Sequence, residues 1–309
     1  MCSEPESNQW DPHQWNTDVD LVAQAMELAR QLPAGMRSRL EAFRDSPPPA
    51  GCLLIQGLPV GDLPPTPPQP TAPTDKTSAT ELRLLAMAAV LGEPVGYQPE
   101  HGGDVVQNIV PVQAEATSQT STSSTVDLMF HTEAAFHPHR PRYLLLFCLR
   151  GDPEARTTVA SIQGALPYLD SELLEVLFQP RFRCAVDESY LHGRSNVLGP
   201  PIAVLTGNRS DPTMVFDQDL MVGMDEEAEE ALQTLGETLS AHHSSVVLSP
   251  GDLLAIDNSM VVHGRSPFAA RFDGTDRWLQ RAFVVEDLVA SEGERTGRVI
   301  STVFGILAE

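Results

Sequence analysis

The sequence predicts an α+β fold: a double-stranded β-helix (jelly-roll) core with flanking and inserted helices. Three observations lead there. Strand-like apolar runs dominate the middle and the end of the chain. Helical periodicity is confined to the start and to a few insertions, which suits helices packed around an antiparallel core of two sheets. The chain has 309 residues and is 41% hydrophobic, enough for one large core, so 1–309 is expected to be a single domain. No internal repeat is evident.

Residues 1–50 form the helical N-terminal part. Leu21, Val22, Met26, Leu28 and Leu32 recur at helical spacing after a potential cap at Thr17 or Asp18, and Pro33 and Gly35 split the pattern into two helices. Pro47-Pro48-Pro49 ends it, and Gly51–Ile55 reads as a buried strand. The stretch 61–76 holds Pro64, Pro65, Pro67, Pro68, Pro70 and Pro73; it cannot donate a ladder of backbone hydrogen bonds and is expected to be an exposed surface loop. Residues 78–92 read as a helix. The jelly-roll core is placed at 100–290, with strands at 104–111, 126–130, 143–149, 157–162, 245–248, 253–257 and 278–286, and inserted helices at 164–178 and 225–243. The polar stretch 186–200, with Gly193 and Gly199, is a candidate lid.

Charge excludes some functions. With 20 Lys and Arg against 42 Asp and Glu, the net charge is -22, which disfavours nucleic acid and anionic membrane surfaces. Solubility accounts for most of the excess; a pocket for a cationic ligand needs particular residues. Cys2, Cys52, Cys148 and Cys184 form no CxxC pair and read as reduced thiols. The N-terminus is polar and acidic with no apolar signal region, and no apolar run approaches the ~20 residues of a membrane helix. A soluble cytoplasmic protein is expected, with a homo-oligomer left open.

The chemistry-bearing residues are His131-Thr132-Glu133 and, far downstream, His263. Two imidazoles and a carboxylate are the ligand set of a non-haem Fe(II) site with open positions. Read as the end of a strand over 125–133, His131 and Glu133 point to one face. His263 ends an apolar strand beside a turn at Gly264. An isolated HxE is a weak signal. His137 and His139, around Pro138, and His242-His243, at a helix end, read as structural or surface residues.

Wider context strengthens the pair. The run His131–Pro138, followed by Arg142–Leu146 and Cys148-Leu149-Arg150, resembles the clavaminate synthase-like Fe(II)/2-oxoglutarate-dependent oxygenases, in their branch of free L-amino-acid hydroxylases. The segments Gln107–Pro111 and Asp257–Phe283 are similar to further parts of that family, and the likeness spans about 50–290 without the Pro-rich loop.

This resemblance implies a jelly roll with His131, Glu133 and His263 as iron ligands. It implies that Arg277, fourteen residues after His263, binds the distal carboxylate of 2-oxoglutarate, which suits a guanidinium that never loses its charge. Thr158 matches a hydroxyl that helps hold that carboxylate, although Thr157 is adjacent and lies on the opposite face. Arg281 matches the binder of the substrate α-carboxylate, with Glu133 and Gln107 receiving the α-amino group. Asp217 and Asp219, at strand spacing, lie where relatives contact the far end of the amino acid; two carboxylates suit lysine or arginine.

The activity implied is hydroxylation of such an amino acid at C3, with C4 second, while 2-oxoglutarate and O2 become succinate and CO2. Retention of Glu133 argues against halogenation. The same site could serve desaturation or cyclisation, which product mass distinguishes, and the contrasting class is a non-catalytic jelly-roll binding protein.

Overall fold

The computed structural model describes residues 15–70, 78–191 and 193–306. Helices α1 (Trp15–Arg30), α2 (Ala34–Asp45) and α3 (Ser78–Leu91) precede most of the strands. The strands are β1 (Cys52–Ile55), β2 (Glu93–Tyr97), β3 (Val106–Ile109), β4 (Leu128–His131), β5 (Tyr143–Arg150), β6 (Arg156–Ser161), β7 (Phe182–Cys184), β8 (Leu205–Asn208), β9 (Asp211–Met214), β10 (Met221–Gly223), β11 (Ser244–Val247), β12 (Leu253–Asp257), β13 (Val261–Arg265), β14 (Trp278–Val285), β15 (Arg295–Thr296) and β16 (Val299–Ile300). Helices α4 (Ile162–Ala165), α5 (Ser171–Leu177) and α6 (Glu226–Ala241) are inserted among them.

An eight-stranded sheet runs β1-β12-β5-β14-β2-β16-β15, with β3 also on β14, and a four-stranded sheet runs β11-β6-β13-β4. All pairs in both are antiparallel except β16 with β2. The fold is thus mixed, with helices around antiparallel sheets. Strand β5 explains the layering. Its residues alternate, with Tyr143, Leu145, Phe147 and Leu149 packed with α1–α3, and Leu144, Leu146 and Cys148 in the core on the other face. A strand covered on both sides reads as a near-continuous apolar run, as this one does from Leu144 to Leu149.

Most expected elements are present, with shifted ends. The N-terminal helix pair splits at Pro33, but α1 begins at Trp15, so Thr17 and Asp18 lie inside it. The helix expected over 164–178 is broken. Ser161 caps α4 through Gly164 N–H, and Asp170 caps α5 through Leu173 N–H.

The Pro-rich loop departs from expectation over its described part, 61–70. Thr66 and Pro67 are buried. Thr66 donates to Asp276 O at 2.6 Å, Arg150 donates to Pro64 O and to the Thr66 hydroxyl, and Pro70 lines a cavity together with His131 and Glu133. Residues 71–76 lie outside the described residues. Among the described residues no helix is long and apolar enough to cross a membrane.

Candidate active site

Strands β4 and β13 are neighbours, and their register sets His131 opposite His263, ring centroids 4.3 Å apart. The pairing explains Gly264. It does not turn the chain, as expected, but lies within β13, where a Cβ would sit 2.4 Å from Leu128 O on β4. Glu133 is not on the strand either. The strand β4 ends at His131, and Glu133 enters a turn that continues through Ala134 at φ 51°. The carboxylate nevertheless reaches the histidines: one ligand atom from each of His131, Glu133 and His263 lies within 4.8 Å of the others.

The protonation states suit a cation. His131 Nδ1 donates to Met129 O at 2.8 Å, which fixes the ring and makes Nε2 the nitrogen open to a metal. Burial, then the neighbouring His131, pushes His263 down to about 4, so its imidazole is neutral. Burial works to raise the Glu133 pKa, but Arg281 and His263 outweigh it and hold the group at about 2. A charged carboxylate beside the neutral His263 imidazole, with the His131 ring in reach, is a donor set that a divalent ion takes.

Arg281 extends from the inner face of β14 into this corner. Its guanidinium stands 3.4 Å from Glu133 Oε1 and 2.6 Å from Glu100 Oε2, and Tyr190 donates to Glu100 Oε1 at 2.7 Å. Glu100 has no motif around it, and sequence reasoning missed it; the only local signal is an acid just before a His-Gly-Gly turn. Gln107 is directly opposite Arg281 in the β3–β14 register and accepts from Arg281 Nε at 2.9 Å. Its oxygen is therefore engaged, and its buried Nε2 has no partner among the described residues. Beside the expected Gln107 and Glu133, Glu100 thus places a further carboxylate at the Arg281 guanidinium.

Arg277, just before β14, is buried and has no ion-pair partner among the described residues; burial lowers its pKa to about 10. Its NH2 donates to the hydroxyl of Thr157 at 3.4 Å. Thr158 does not face it. Thr157 pairs with Arg265 and Val159 with His263, so 157 and 159 share the inner face and Thr158 lies on the other. The correction is one residue and one face. Arg265, also buried, holds Ser123 through its main-chain oxygen and hydroxyl.

A cavity of about 400 Å³ opens over the triad. Its lining includes Glu100, Glu115, Glu133, Asp187, Asp217 and Asp219, against Arg281 as the one arginine or lysine among the described residues. Asp217 and Asp219 both reach it, but from a turn rather than a strand. Asp217 bridges to His131, and its Oδ1 accepts the N–H groups of Asp219 and Leu220 at 2.9 Å each. Asp217 is buried and Asp219 exposed, so the two are not equivalent. Burial raises the Asp217 pKa, partly offset by His131.

Residues 69–283 match the model of the taurine catabolism dioxygenase TauD, TfdA family. The chain belongs to this family. Among its relatives, L-lysine 3-hydroxylase of Catenulispora acidiphila is 41% identical over 92% of this chain and 82% of its own. L-asparagine oxygenase of Streptomyces coelicolor is 39% identical over 90% and 84%. A structure of asparagine oxygenase with Fe(II), a 3-hydroxyasparagine and succinate superposes with a TM-score of 0.84 at 37% identity, covering 91% of this chain and 89% of that one. The non-heme iron oxygenase OrfP with Fe and alpha-ketoglutaric acid gives 0.82 at 34%, covering 93% and 92%.

Proposed function

We propose that this protein is an Fe(II)- and 2-oxoglutarate-dependent hydroxylase of a free L-amino acid with a cationic side chain, acting at C3. The carrying observation is the joint placement of three groups: the His131–Glu133–His263 triad, Arg281 against Glu133, and an acidic wall on the remaining sides. On this reading the two antiparallel sheets are the walls of a jelly roll in one oxygenase domain.

The residues fit both implied groups. Two imidazoles and an ionised carboxylate match ferrous iron. Arg277, a buried cation that bonds a hydroxyl and makes no ion pair among the described residues, calls for an anion, and the distal carboxylate of 2-oxoglutarate supplies one. Iron bound there would supply oxygen activation coupled to conversion of 2-oxoglutarate to succinate and CO2.

The chain's own part is to hold the amino acid. Arg281 takes the α-carboxylate, while Glu133 and Glu100 take the α-ammonium; both already touch the same guanidinium. A zwitterion clamped at this corner turns its first side-chain carbons toward the triad. Asp217 and Asp219, on the opposite wall, meet a distal positive charge, which favours lysine-like or arginine-like side chains over neutral ones.

The test is incubation of the protein with Fe(II), 2-oxoglutarate, O2 and a panel of free amino acids, following succinate and product mass. Lysine, ornithine or arginine should gain one oxygen atom, and substrate deuterated at C3 should lose label. Equal turnover of asparagine or leucine would overturn the cationic assignment.

A further inference from the structure

We propose that Asn258 is a positioning residue for the metal site, its one buried amide tying the main chain of Glu133 to the turn that launches the His263 strand. The inference rests on the triad being a metal site but concerns a residue outside it. Asn258 is fully buried. Its Oδ1 accepts the Glu133 N–H at 2.8 Å, and its Nδ2 donates to Glu133 O at 3.1 Å and to Pro141 O at 2.8 Å. The amide therefore grips both polar groups of the Glu133 main chain.

The need for this grip lies in the local backbone. Glu133 has left β4 and is followed by Ala134 at φ 51°, a left-handed conformation that a residue with a Cβ keeps only when its surroundings impose it. The ladder of β4 cannot place Glu133, so something else must.

The other end of the clamp is firm. Asn258 N–H donates to Arg142 O, and adjacent Asp257 accepts from the main chain and hydroxyl of Ser259 and from Arg142. Five residues on, the same chain delivers His263, opposite His131. Asn258 thus fixes Glu133 relative to both histidines.

Only asparagine has an acceptor and a two-proton donor in this plane. Aspartate would keep the bond to the Glu133 N–H but set its second oxygen against two carbonyl oxygens. Alanine would leave the Glu133 N–H, the Glu133 carbonyl and the Pro141 carbonyl buried and unpaired.

The experiment measures anaerobic Fe(II) and Mn(II) affinity on full-length wild type, Asn258→Asp, Asn258→Ala and Ser259→Ala. Melting of the metal-free forms is followed in parallel, with the ratio of succinate to hydroxylated product. Both Asn258 variants should bind metal about tenfold to a hundredfold more weakly, the size seen when a group orienting a metal ligand is lost. Succinate should outrun hydroxylated product in both. Ser259→Ala, which alters the same turn without touching Glu133, should match wild type.

Unchanged affinity and coupling in a folded Asn258 variant would overturn the proposal. Wild type that binds no metal would instead overturn the reading on which it rests. Should neither Asn258 variant fold, hydrogen exchange of metal-free wild type decides: the Glu133 amide should be protected, and exchange as fast as at an open loop would refute the clamp.

Discussion

Arg277 is buried and charged, bonds the Thr157 hydroxyl and has no ion-pair partner among the described residues, so its energy depends on what binds beside it. Arg277→Met should raise the KM for 2-oxoglutarate by about a hundredfold or more, since removing one partner of a buried charge pair costs about 3–5 kcal/mol. The KM for the amino acid should move far less; steady-state kinetics with each substrate varied in turn would show it. Thr157→Val should raise the 2-oxoglutarate KM severalfold and Thr158→Val should not, because only Thr157 shares the inner face with His263. The ligand residues were legible from the sequence because side-chain type and spacing survive small errors in strand ends. Thr158 was misread because a one-residue slip reverses the face, and nothing in a Thr-Thr pair fixes parity without the partner strand. Glu100 was illegible for a different reason. It reaches Arg281 across 181 residues from an irregular segment, where no periodicity indicates direction.

At the scale of elements, the site depends on two strands approaching closely. A Cβ on Gly264 would lie 2.4 Å from Leu128 O and 3.0 Å from Thr158 Oγ1, between the strands that carry His131 and His263. Gly264→Ala should therefore force β13 away from β4, destabilise the fold by about 1–3 kcal/mol and weaken metal binding. Thermal melting and metal titration would check both, and an unperturbed triad would contradict the role given to the pairing. Long apolar strands such as β5 and β14 were legible because both faces are buried, while short β7, β8, β9 and β10 carry too few residues to show a period. The turn after β4 carries a pH effect. Burial, then His139 and Arg140, pushes His137 down to about 3, and its Nδ1 accepts the His139 N–H. In the unfolded chain this histidine titrates near 6.5. The stability it contributes is complete above that value and is lost progressively as the pH falls toward about 3. Between pH 7 and 5.5 wild type should lose about 1 kcal/mol more stability than His137→Asn, read from urea denaturation at each pH.

For the molecule as a whole, the charge of -22 gains meaning only from its distribution. Spread over a surface, acidic excess gives solubility; gathered around a cavity, it selects ligands. Among the described residues six carboxylates line the cavity, and Arg281 engages two of them, Glu100 and Glu133. The remaining wall attracts cations and disfavours acidic amino acids. Asp217 anchors that wall, since its Oδ1 holds the turn through Asp219 and Leu220 and its Oδ2 is outside those bonds. Asp217→Asn keeps a side-chain oxygen for the turn and removes the charge. Its kcat/KM for a lysine-like substrate should fall about tenfold to a hundredfold, in line with the ~1.5–3 kcal/mol of a hydrogen bond to a charged group. Salt separates this from a packing defect. In wild type the KM for the cationic substrate should rise with ionic strength, as ions screen the open side of the cavity over a Debye length of about 10 Å at 0.1 M. In Asp217→Asn that dependence should flatten, while the 2-oxoglutarate KM, which we propose the buried Arg277 governs, should respond alike in both proteins. Equal salt dependence of the two for the amino acid would mean that the acidic wall contributes solubility and no selection.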